Sequence, residues 1–191
     1  MMLRRVATAA IAFVALLFTP AHAVTFPMTA ADIQAAADLG KATSFQNFIT
    51  LRNWKVRSVF EDRAPEMTFE TPFFAASQAA SYAQSKFDDP LPAAAATTIS
   101  KTISFRIVVE SELISGNTDP GVIIVLNDTT IHAVKIDVDD PTPEADGFYR
   151  SISATFKAAS VPKTAFTVKF GNIDDNGLKH AEYYVDPTLY R

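Results

Sequence analysis

Thr102-Ile103-Ser104-Phe105-Arg106-Ile107-Val108-Val109-Glu110 decides the fold class. Ile103, Phe105, Ile107 and Val109 alternate with Thr102, Ser104, Arg106 and Glu110. Successive side chains on a strand point to opposite faces, so a period of two describes a strand with one buried and one solvated face. The rhythm recurs on both sides of this stretch. Upstream, Trp54, Val56, Ser58 and Phe60 oppose Lys55, Arg57 and Glu61, and Met67, Phe69, Thr71 and Phe73 oppose Thr68 and Glu70. Downstream, Val122–Leu126 is a continuous apolar strand, and Asn127-Asp128 turns it into Ile131–Val138 as a hairpin. Phe148–Lys157 directs Ile152, Ala154 and Phe156 inward, Phe166, Val168 and Phe170 form another strand, and Ala181–Tyr190 the last. About eight or nine strands at this spacing predict an all-β, two-sheet sandwich.

Two segments break the pattern. Thr29 can cap a short N-terminal helix, with Asp32 three residues on and Gly40 to end it; Ile33, Ala36, Ala37 and Gly40 fall on one side. Residues 75–98 form a helical and loop excursion, Ala/Ser/Gln-rich to Lys86 and stopped by Asp88-Asp89-Pro90 and Pro92. A connection of that length between strands is often functional.

Residues 1–23 have the order of a secretory signal peptide: Arg4 and Arg5, the apolar run Val6 to Phe18, Pro20, then Ala21-His22-Ala23 as a small-residue cleavage site. The apolar run is shorter than the roughly 20 residues a membrane span needs. Cleavage after Ala23 leaves residues 24–191 as a single domain, secreted or periplasmic. Loss of Arg4 and Arg5 leaves 15 basic against 21 acidic side chains, a net charge of −6. That balance argues against nucleic acid, whose phosphates require clustered Lys and Arg, and no second long apolar run predicts stable membrane insertion. The sequence has no Cys, which excludes thiol catalysis, thiolate metal sites and a lipidated cysteine anchor.

From Ile103 onward the order of segments resembles a carbohydrate-binding module of the galactose-binding-like jelly-roll type. The segments that carry the resemblance are Thr102–Val108, Tyr149–Ala158, Phe166–Gly171 and Tyr183–Leu189, with Trp54 near the front. It implies a jelly roll that binds sugar without transforming it.

The residues themselves offer few catalytic groups. His132 and His180 are the only histidines after the signal, and no G-x-S-x-G is present, so a Ser–His–Asp site has little to draw on. Glu110 with Glu112, and Asp137 with Asp139, are the carboxylate pairs a glycoside hydrolase could use. In Asn172-Ile173-Asp174-Asp175-Asn176-Gly177, the side chains of Asn172, Asp174 and Asn176 have the spacing of calcium donors and Gly177 closes a tight turn; the same residues also favour a plain hairpin turn. Asn127-Asp128-Thr129 is an N-glycosylation sequon.

Sugar binding rests on aromatic rings, which stack on the apolar face of a pyranose while a few polar groups fix its orientation. Tyr149 falls on a polar face with Ser151, Ser153, Thr155 and Lys157, and Tyr82 lies in the excursion. Trp54 follows the apolar set, and its parity favours the core over a ligand contact. Tyr183 and Tyr184 point to opposite faces, so one of them is outward. The sequence therefore predicts an exported carbohydrate-binding protein using Tyr149, Tyr82 and Trp54, with calcium as a structural ion if any. A structural or adhesive envelope protein is the alternative, and a glycoside hydrolase the third.

Overall fold

The computed structural model describes residues 27–43, 55–56, 65–86, 98–110, 120–145, 147–172 and 181–190. The signal segment, Trp54, Glu112, Asp174, Asn176 and His180 lie outside them. Ten strands are present among the described residues: β1 (Lys55–Val56), β2 (Glu66–Glu70), β3 (Thr102–Glu110), β4 (Pro120–Leu126), β5 (Thr129–His132), β6 (Lys135–Val138), β7 (Thr142–Glu144), β8 (Gly147–Lys157), β9 (Phe166–Asn172) and β10 (Ala181–Val185). They form two antiparallel sheets, with two helices, α1 (Ala30–Ala42) and α2 (Pro72–Ser85). The larger sheet runs β1-β2-β3-β8-β6, with β7 also paired to β8; the smaller runs β10-β9-β4-β5.

The alternation read from the sequence is the alternation of burial. In β3, Ile103, Phe105, Ile107 and Val109 are all buried, as are Ile152, Ala154 and Phe156 in β8. Both sheets contribute to one core, in which Phe69 stacks on Phe105 with centroids 5.0 Å apart. Phe166 of the smaller sheet stands nearly perpendicular to both rings, with centroids at 6.4 Å and 6.2 Å, and so packs one sheet against the other.

The β4–β5 hairpin turns at Asn127-Asp128, where Asn127 adopts φ 53°, a left-handed conformation that Asn tolerates better than most residues. Ile131–Val138 is not one strand. It breaks at Ala133-Val134 and passes from the smaller sheet, as β5, to the larger, as β6. Parity does not carry across that bend, and His132 is an exposed residue at the end of β5.

Three other boundaries differ from the sequence reading. The alternation Met67, Phe69, Thr71, Phe73 ends at Glu70, because Thr71 caps α2: its Oγ1 accepts the Phe74 amide at 3.1 Å, and Pro72 occupies the first helical position, where no amide is needed. Phe73 and Phe74 are thereby delivered to a second cluster with Met28, Ala36 and Ala76. α1 is capped reciprocally by Thr29 and Asp32 as its sequence predicts, but Gly40 lies inside it and the helix runs on to Ala42. The final strand stops at Val185; Asp186 caps a 3-10 turn over Pro187–Leu189, and Tyr190 packs against both clusters.

Candidate functional site

The outward face of the larger sheet carries Tyr149. Strand register sets its neighbours: Glu110 of β3 lies directly across on one side and Thr142 of β7 on the other. Glu144 is opposite Gly147, and two residues along a strand return to the same face. Gly147 has no side chain on this face and the Tyr149 ring leans over it; a Cβ there would sit 3.9 Å from Tyr149 Cε2. Glu110, Thr142 and Glu144 are exposed, and Tyr149 is partly buried.

The next row along the sheet is Glu66, Val108 and Ser151, with Asp139 beyond, its amide donating to the Ser151 carbonyl at 2.9 Å. Among the described residues, Ser151 Oγ is enclosed with no hydrogen-bond partner. Further along lie Thr68, Arg106, Ser153 and Asp137, then Glu70, Ser104, Thr155 and Lys135. Ser104 Oγ and Thr155 Oγ1 are hydrogen-bonded at 3.2 Å, and Lys135 pairs with Asp137 at 2.8 Å. Among the described residues the face is thus a field of short hydroxyls and charged side chains of both signs, with Val108 exposed among them and one aromatic ring, Tyr149, at its end.

Glu70 is the perturbed carboxyl of this face. Burial raises its pKa, and the Arg106 guanidinium, with Nε 3.1 Å from Oε1, opposes that rise without cancelling it. A raised folded-state pKa means the fold favours the protonated form. The stabilisation it brings is complete below the ordinary carboxyl range and is lost as pH climbs through the raised value. Glu70→Gln is therefore expected to melt at or above the wild-type temperature at pH 7, with that advantage shrinking on acidification to pH 4. Thermal melts of both proteins at the two pH values check this; an advantage that grows on acidification would mean that pairing with Arg106 outweighs burial.

Tyr82 is 49% exposed on α2, with Lys86 Nζ 5.7 Å from its ring centroid. Trp54 lies outside the described residues. Asn172 ends β9, while Asp174 and Asn176 lie outside the described residues, so the proposed calcium loop is not seen as a unit. Among the described residues no group of three His, Asp or Glu side chains could hold a metal ion, and no helix is long and apolar enough to cross a membrane.

No protein-family model, curated protein or solved structure matches this chain.

Of the Tyr183-Tyr184 pair, Tyr183 is the inward member. It is fully buried and its hydroxyl donates to the Pro65 carbonyl at 2.7 Å, and burial pushes the phenol pKa up. Tyr184 is 58% exposed on the outer face of the smaller sheet. The doublet was the signal for it, since adjacent strand residues cannot share a face.

Proposed function

We propose that this protein is an exported, non-catalytic carbohydrate binder, processed after Ala23, that holds its ligand on the outward face of the larger sheet at Tyr149. The observation that carries this reading is the setting of Tyr149: an aromatic ring over a bare glycine backbone, flanked across the strands by Glu110 and Thr142. A ring offers the apolar face of a sugar a stacking partner, and carboxylate and hydroxyl oxygens beside it accept from sugar hydroxyls.

We take the sandwich to be of jelly-roll type. Its support is that β3 and β8 pair in one sheet while the strands that follow each, β4 and β9, pair in the other, the wrapping that a jelly roll makes.

A glycan array of the mature protein and of Tyr149→Ala tests the function. Truncating an aromatic anchor costs about 2 kcal/mol, so binding should weaken ~30-fold. No binding by the wild type to any glycan, or binding untouched by the substitution, overturns the reading. A structural or adhesive role is the second reading. It draws on Phe148 and Val138, which are 60% and 39% exposed near the end of the larger sheet; under it, Phe148→Ala weakens attachment and Tyr149→Ala does not.

A further inference from the structure

We propose that the outward face of the smaller sheet is a second carbohydrate-contacting surface, centred on Tyr184, and that the protein bridges two glycan chains. The inference rests on the carbohydrate reading above but on different residues.

Tyr184 is held outward by its neighbour. Tyr183 is buried and hydrogen-bonded to Pro65, so β10 cannot slip by one residue without expelling it into solvent. Register then lays out the row across the sheet: Tyr184, Thr167, Val125, Thr130. The adjacent row contains Lys169 and Glu182, paired at 2.7 Å. Their charges cancel, which suits an uncharged ligand, while the pair still offers donors and acceptors at its rim.

Size selects among occupants. Four strands ~4.8 Å apart and three rows ~7 Å apart, the third being Gly121 with Gly171, bound the patch at about 400 Å². A stable protein interface needs about 800 Å² from each partner, so neither a second copy nor another protein is well served. A few sugar units are, with Tyr184 as the stacking ring and the two threonine hydroxyls along its row. The two tyrosines lie on opposite outer faces of a sandwich whose sheets pack about 10 Å apart, too far around the molecule for one glycan segment to lie flat on both.

The test uses wild type, Tyr149→Ala, Tyr184→Ala and the double variant, each confirmed folded by its melting curve. Affinity electrophoresis and turbidity are run with xyloglucan, galactomannan and laminarin as soluble neutral probes. Wild type should be retarded and should cross-link a polysaccharide into turbid aggregates. Each single variant should keep retardation through the face left intact and lose turbidity; the double variant should lose both. Tyr184→Ala that cross-links like wild type overturns this inference and leaves the Tyr149 reading standing. Tyr149→Ala that behaves as wild type while Tyr184→Ala abolishes retardation supports this surface, overturns the bridging and removes the first reading. A wild type that binds none of the three overturns both.

Discussion

Phe105→Ala is expected to lower the free energy of unfolding by about 3–5 kcal/mol, the usual cost of truncating a fully buried Phe. Phe105 is 0% exposed. Its ring stacks on Phe69 and stands nearly perpendicular to Phe156, at 5.7 Å, and to Phe166 from the other sheet. The cavity has little to collapse into it, because the residue across on β8 is Ala154. A domain of ordinary stability, about 5–15 kcal/mol, would be left marginal. Phe148→Ala is the control. It lies on a core-facing parity of β8 but is 60% exposed, and its truncation should fall within about 0.5 kcal/mol. Urea denaturation of the two variants decides the matter: a loss under 1 kcal/mol at Phe105 would mean that the sheets do not meet there.

The contrast between the two phenylalanines marks what could be read from the chain. Alternation located β3 and β8 and assigned their inward residues, because a strand's period of two is a local property. It also placed Tyr149 on the solvated face. Reading failed where a second signal competed with the period. The rhythm Met67, Phe69, Thr71, Phe73 looks continuous, yet Thr71-Pro72 is also a helix start, and the cap prevails. At Ala133-Val134 the strand changes sheets and parity is reset. The neighbours of Tyr149 were not legible at all. Glu110 stands 39 positions away in the chain, and only the pairing of β3 with β8 brings it alongside. Tyr184 was half legible: the doublet required one outward ring but did not say which.

Gly40 shows the same limit more sharply, and it supports the second large prediction. In sequence it reads as a helix stop; in the fold it is the point where α1 meets α2. A Cβ at Gly40 would overlap the Ser77 carbonyl oxygen, approach Ala80 Cβ at 2.8 Å and Ser81 N at 2.9 Å. Two of those three atoms are backbone and cannot rotate away. Small residues line the contact on both sides, with Ala36 buried on α1 and Ala76, Ser77, Ala80 and Ser81 on α2, and Ser81 Oγ donates to the Thr43 carbonyl at 2.7 Å, tying the end of α1 to its partner. In an isolated helix, Gly→Ala is stabilising by about 1 kcal/mol. Here the sign reverses: overpacking costs about 1–3 kcal/mol or more, and the helices must separate to admit the methyl. Because the helical cluster is distinct from the sandwich core and joined to it through Tyr190, the damage should be local. Hydrogen exchange of Gly40→Ala should show faster exchange along α1 and α2, with β3 and β8 amides still protected. Slower exchange in α1, as helix propensity alone would give, would mean that the helices do not approach as closely as Gly40 requires.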